Sequence, residues 1–240
     1  MANKTSPAAN GKKVRLITKA LTTAIKLWLK TQLTQVSQIE VEIGASDRQL
    51  LSGGIPAVSI FATNAVYQGI HVTRIQLSAE NIQINIGSVL KGKPLRLLEI
   101  VPVVAELVVE EGDLNKSLPS ELLSTALNDV LVKLFPVLPE QWEKSKPISW
   151  QEITIDNQRL ILYGVLPTDS KPTSLEISVG LELLNGQELQ LTQIKILYNQ
   201  EPILENNSGY HLDLGSDVDL QELTLKSSQI LCRGRINVNP

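Results

Sequence analysis

The hydrophobic period of this chain changes near residue 36, and that change decides its fold class. From Val14 to Val36 the apolar residues Val14, Ile17, Leu21, Ala24, Ile25, Trp28 and Val36 recur at three- and four-residue steps, the spacing of one helix face. Arg15, Lys19, Lys26 and Lys30 fall on a different face, so the segment reads as a long basic amphipathic helix. From Ile39 onward the period is two. Ile39, Val41 and Ile43 alternate with Glu40 and Glu42; Ile75, Leu77 and Ala79 follow; and Leu175, Ile177, Val179, Leu181 and Leu183 alternate up to Asn185-Gly186, a hairpin signal. The expected class is α+β, dominated by antiparallel strands.

Three strand-like runs change parity. Ala79 passes to Ile82, Ile84 and Ile86 across Glu80-Asn81, Ile155 passes to Leu160 across Asp156-Asn157, and Leu191 passes to Ile194 and Ile196. A strand that keeps one face buried through such a flip needs a bulge or a break, and bulges bend and twist strands. Repeated flips therefore predict a strongly curved sheet.

A second helix is expected near the middle of the chain. Asp113-Leu114-Asn115 offers an N-cap, Ser117 with Glu121 offers another around Pro119, and Leu118, Leu122, Ala126, Leu127, Val130, Leu131 and Leu134 form an apolar stripe ended by Pro136. Residues 136–147 read as a connection. Residues 1–11 read as a disordered leader, and 12–240 as a single domain with two pseudo-repeated halves, about 12–135 and 148–240. The repeat rests on Arg48-Gln49-Leu50-Leu51 with Gly54-Ile55-Pro56 against Gln158-Arg159-Leu160-Ile161 with Gly164-Val165-Leu166-Pro167, and on Thr73-Arg74-Ile75-Gln76-Leu77 against Thr192-Gln193-Ile194-Lys195-Ile196.

Composition narrows the chemistry. Aromatic residues are 4 % of 240, while 42 % of the chain is hydrophobic, so the interior is aliphatic. One cysteine, Cys232, and two histidines, His71 and His211, rule out a disulfide framework and leave too few ligands for a structural zinc site or haem. No cofactor or metal is implied. Nucleophile elbows, P-loops and dinucleotide fingerprints are missing from the sequence. Glu110-Glu111-Gly112-Asp113 clusters carboxylates, but Asp113 has the capping role and the others precede a turn; no catalytic residue is assigned, and the expected function is not enzymatic.

The net charge of −3 hides an asymmetry. Lys4, Lys12, Lys13, Arg15, Lys19, Lys26 and Lys30 face no acid within residues 1–30, whereas the remainder holds 15 basic and 25 acidic residues. A helix with Trp28 on its apolar face and cations on another has the pattern of an interfacial helix drawn to anionic headgroups. A core helix with a solvated lysine face, or one docking on an acidic protein partner as a structural or adaptor element, has the same pattern. Nucleic acid fits poorly, because stacking aromatics are scarce. Lys91, Lys93 and Arg96 beside Leu97, Leu98 and Ile100 form a second candidate membrane contact; the alternative is a buried strand from Leu95 to Val109 preceded by a basic turn. A signal-peptide core and any stretch of about 18 apolar residues are missing from the sequence, so the expected location is cytoplasmic and peripherally membrane-associated.

Four segments, Asp47-Arg48-Gln49-Leu50-Leu51-Ser52-Gly53, Asn64-Ala65-Val66-Tyr67-Gln68-Gly69-Ile70, Leu77-Ser78-Ala79-Glu80-Asn81-Ile82 and Glu110-Glu111-Gly112-Asp113-Leu114-Asn115, resemble a cyanobacterial branch of the LmeA-like phospholipid-binding family. The resemblance runs from about residue 15 to the C-terminus. It implies phospholipid as partner and a fold similar to tubular lipid-binding proteins, a curved antiparallel sheet wrapped around the long N-terminal helix. Expected lipid contacts are Leu21, Ile25, Trp28, Leu29, Leu97, Leu98 and Ile100. Expected contacts with an anionic membrane surface or headgroup are Lys12, Lys13, Arg15, Lys19, Lys26, Lys30, Lys91, Lys93 and Arg96. The expected role is lipid binding or transfer.

Overall fold

The computed structural model describes residues 8–45, 49–50, 52–134, 148–156, 158–166, 173–206 and 209–240, with side chains from residue 17 onward and that of Asn206 excepted. The expected leader (in part), the side chains of Lys12, Lys13 and Arg15, and Pro136 with the connection 136–147 lie outside the described residues. Helix α1 spans Ala8–Gln32. Strands β1 (Gln38–Gly44), β2 (Gly54–Tyr67) and β3 (Ile70–Gln83) follow, then the single turn α2 (Ile86–Val89) and β4 (Val101–Glu110). The middle of the chain is helical in two pieces, α3 (Glu111–Ser117) and α4 (Glu121–Leu134), broken around Pro119. Strands β5 (Ser149–Asp156), β6 (Arg159–Leu166), β7 (Thr173–Asn185), β8 (Glu188–Tyr198), β9 (Glu201–Asn206), β10 (Tyr210–Asp213), β11 (Val218–Lys226) and β12 (Gln229–Val238) complete it.

The strands form two antiparallel six-stranded sheets. The first has the order β1-β2-β3-β4-β12-β11, so the last hairpin of the chain returns to pair β12 with β4, from Gln229 opposite Glu110 to Val238 opposite Val101. The second has the order β10-β8-β7-β6-β5, with β9 beside β10 on the same edge of β8. Each sheet carries one helix. Leu21 and Ile25 of α1 are buried with Val41, Ile55, Val58, Ala79 and Val103 of the first sheet, and Leu131 of α4 is buried with Ile153, Leu162, Ile177 and Ile196 of the second. Full burial of each such side chain contributes about 1.5–3 kcal/mol, which is what holds both helices to their sheets.

Both sheets are open, with β1 and β11 as edges of the first. Helix α1 thus lies on one face rather than inside a strongly curved wrap, a correction to the expected geometry, and the reason lies in how the parity flips resolve. At Asn81, which has a left-handed φ of 55°, the pairing of β2 with β3 keeps its register: Ile55 faces Ile82 before the flip and Val58 faces Ala79 after it. The partner position is Pro56, which has no N–H to lose, so both strands rotate together and no residue is inserted. The flip between Ile155 and Leu160 falls where β5 and β6 form a hairpin, with Asp156 paired to Arg159. Only the third is a bulge inside a strand: Gln193 (φ 48°) and Ile194 together oppose Val179, between the pairs Ser178–Lys195 and Gly180–Thr192.

The hairpin between β2 and β3 turns through Gln68 (φ 48°) and Gly69 (φ 81°), the two left-handed positions of a type I′ turn. Gly69 is required twice, since a Cβ there would also sit 2.7 Å from the Cβ of Ser120. Ser120 is the true N-cap of α4, its hydroxyl accepting the N–H of Leu123 at 3.1 Å. The expected caps are corrected accordingly: Asp113 lies inside α3, and the Ser117 hydroxyl donates to the carbonyl of Asp113 and accepts the N–H of His71, both at 2.8 Å.

Candidate functional site

Between α1 and the first sheet lies a cavity of about 160 Å³. Helix α1 contributes Ile25, Trp28 and Leu29. The sheet contributes Ile55, Val58 and Ile60 from β2, Leu77, Ala79 and Ile82 from β3, Val101 and Val103 from β4, and Ile236 and Val238 from β12; Ile84, Leu95 and Leu97 close it from the segment between β3 and β4. Ser78 is the one polar residue in this lining. A partly open pocket so lined offers apolar matter a wall without polar groups to satisfy. It exists because α1 is held by Leu21 (0 % exposed) and Ile25 while small residues, above all Ala79, leave the facing sheet hollow.

The candidate lipid residues divide into three groups. Ile25, Trp28, Leu29 and Leu97 line the cavity, and Leu21 is packed in the core beside it. Leu98 and Ile100 are 58 % and 57 % exposed and stand away from it. Strand β4 begins only at Val101, so Leu98 and Ile100 belong to a surface segment together with the exposed Leu90, Lys91, Lys93 and Arg96. Among the helix cations, Lys19 and Lys30 are exposed and Lys26 is half-buried. The sheet side of the cavity went unread in the sequence. Alternation marks every second residue of a strand, but it does not say which face meets α1, and β12 arrives from the far end of the chain.

The carboxylate cluster has a different occupation. Glu111 and Asn115 project from α3 onto the outer edge of β5: the Asn115 amide donates to the carbonyl of Ile153 at 2.7 Å and accepts its N–H at 2.8 Å, and the Glu111 carboxylate accepts the N–H of Ile155 at 2.7 Å. These side chains do for β5 what a neighbouring strand would do. On the other side of α3, the Asp113 carboxylate accepts the hydroxyl of Thr73 at 2.6 Å and the Lys116 ammonium at 2.7 Å, while Thr73 accepts the N–H of Glu110 at 2.9 Å. Helix α3 therefore bolts the first sheet, through β3 and β4, to the second, through β5.

Burial pushes the Asp113 carboxyl upward, but the hydrogen bonds from Lys116 and Thr73 and the nearby charges of Lys116 and His71 outweigh it and hold its pKa below the ordinary value of 3.8. On acidification the unfolded chain takes up this proton first. The stabilisation is therefore full above the ordinary value and is lost as pH falls through the depressed one. Thermal midpoints measured from about pH 6 to about pH 3 should fall more steeply for the wild type than for Asp113→Asn; parallel curves would show that the carboxylate does not contribute.

Among the described residues no helix is long and apolar enough to cross a membrane. No curated protein and no solved structure matches the chain. The sequence profile of the family described as LmeA-like phospholipid-binding matches residues 13–235, a span that takes in most of α1, both sheets up to the last three residues of β12, and the lining of the apolar cavity except Ile236 and Val238. The chain belongs to the LmeA-like phospholipid-binding family.

Proposed function

We propose that this chain binds a phospholipid at a membrane surface and transfers it without altering it chemically. The observation that carries the reading is the cavity between α1 and the first sheet, whose lining is aliphatic apart from Trp28 and Ser78. Acyl chains have no polar groups to satisfy, so a site for them needs apolar wall and little else. Family membership supports phospholipid as the ligand class. A binding role rather than a catalytic one is supported by the use of Glu111 and Asp113 as structural acceptors.

Docking follows from the same elements. Helix α1 carries cations and no acid, and beside it the segment from Leu90 to Ile100 exposes Leu90, Leu98 and Ile100 among Lys91, Lys93 and Arg96. Cations at headgroup level with leucines below them is the arrangement of an interfacial contact, each cation near an anionic surface contributing about 1 kcal/mol. Reversing the charge of Lys12, Lys13, Arg15 and Lys19 together should abolish flotation of the protein with phosphatidylglycerol vesicles at low salt; undiminished flotation would remove α1 from the membrane contact. Lipid binding itself is tested by native mass spectrometry and organic extraction of the purified chain. Adducts with phospholipid masses are expected, and a folded chain that remains bare after incubation with phosphatidylglycerol vesicles would contradict the proposal.

A further inference from the structure

The cavity is not the only compartment along α1. An open groove of about 650 Å³ runs between the other flank of the helix and the turn that follows α2, with Lys19, Thr23, Leu27, Trp28, Lys93 and Leu95 on its walls. Trp28 and Leu95 line both spaces. They are the shared wall between an apolar void on one side and an open, cationic groove on the other.

Size makes this wall consequential. A void of about 150 Å³ accepts one benzene-sized molecule, so 160 Å³ holds only a fraction of a fatty acyl chain. The two halves of the wall are held differently. Leu95 is 8 % exposed, and the Asn85 side chain grips the residues on either side of it, donating to the carbonyl of Pro94 at 3.0 Å and accepting the N–H of Arg96 at 2.8 Å. Trp28 is only partly buried, and its side chain makes no hydrogen bond among the described residues. Leu95 is the more firmly held half of the wall, and Trp28 the less buried one.

The charges of the groove state what belongs in it. Its lining holds two ammonium groups, Lys19 and Lys93, and no acid; neither lysine forms an ion pair among the described residues, and α1 contains no acidic residue at all. We infer that the groove is the headgroup subsite of the lipid site proposed above, on which this inference rests: the phosphate of a phospholipid lies between Lys19 and Lys93, and its acyl chain passes a displaced Trp28 into the cavity. One amphiphile then fills both compartments, and the chemistry of each wall matches the part of the molecule against it.

The test compares two ligands with the same chains, dioleoylphosphatidylglycerol and dioleoylglycerol, which lacks the phosphate. The full-length protein is equilibrated with phosphatidylcholine vesicles carrying one or the other, separated from the vesicles, and the retained lipid is quantified. The double variant K19E/K93E is set against K133E/K226E, an equal change of charge at exposed lysines remote from the groove. Loss of two charge-assisted contacts predicts that K19E/K93E retains about five- to tenfold less phosphatidylglycerol, with dioleoylglycerol within about twofold of wild type. K133E/K226E should leave both unchanged. Undiminished phosphatidylglycerol in K19E/K93E, or an equal loss in both double variants, would overturn the headgroup subsite while leaving the cavity as the lipid site. Displacement of phosphatidylglycerol by an excess of inorganic phosphate would overturn it as well, as a site for free phosphate. A wild type that retains neither lipid would instead remove the underlying lipid-binding reading.

Discussion

Ala79→Phe is expected to lower phospholipid retention at least tenfold while leaving the protein folded. Ala79 sits at the centre of the first sheet, paired with Val58 on one side and Val103 on the other, and all three face the cavity. The substitution adds a benzene-sized group, and an apolar void of about 150 Å³ accommodates benzene; the void here is about 160 Å³. The new ring therefore takes the space of the acyl chain rather than forcing the strands apart. Filling such a void commonly adds about 0.5–2 kcal/mol of stability, so the thermal midpoint should hold or rise as lipid is lost. Retention equal to wild type, with the midpoint intact, would show that acyl chains do not use this space.

The largest loss of stability from a single polar side chain is expected at Asn115. Its amide satisfies both the N–H and the carbonyl of Ile153, a residue only 1 % exposed on the edge strand of the second sheet. Asn115→Ala leaves both groups without partners. An unsatisfied buried group costs about 1–3 kcal/mol, so the variant should lose about 2–5 kcal/mol, or on the order of 5–15 °C in midpoint for a chain of this size. Asn115→Asp should be no better: it keeps an acceptor for the N–H of Ile153 but turns a carboxylate oxygen toward its carbonyl. A midpoint within about 1 °C of wild type for Asn115→Ala would mean that water replaces the clamp and that α3 does not bolt the sheets together.

These two positions also mark where sequence reading succeeds and stops. Period alone finds α1, the alternating strands and the helical middle, because each depends on neighbours within a few residues. It even finds the flips at Asn81 and Gln193. It cannot tell a rotation shared by two strands from an inserted residue, because that depends on Pro56 lying opposite Asn81. The helical wall of the cavity was legible as Ile25, Trp28 and Leu29. The opposite wall was not, since Ala79 reads as one more small strand residue and Ile236 comes from the other end of the chain. Asp113 read as a cap for want of its distant partner Thr73, and Glu111 as a turn-flanking acid for want of Ile155. The quoted motif segments around Gly69, Asn81 and Asn115 hold turns, kinks and clamps; they speak for the frame and leave the ligand to the cavity.

The central claim, that a phospholipid acyl chain lies between α1 and the first sheet, is tested most directly by photolabelling. The full-length protein is loaded with a phosphatidylglycerol bearing a diazirine on one acyl chain, irradiated, digested, and the adducts are located by mass spectrometry. Adducts are expected at Ile25 to Leu29 of α1 and along Ile55 to Ile60 and Leu77 to Ile82 of the facing strands. Labelling confined to exposed Leu98 and Ile100, or to the core of the second sheet beneath α4, would contradict it.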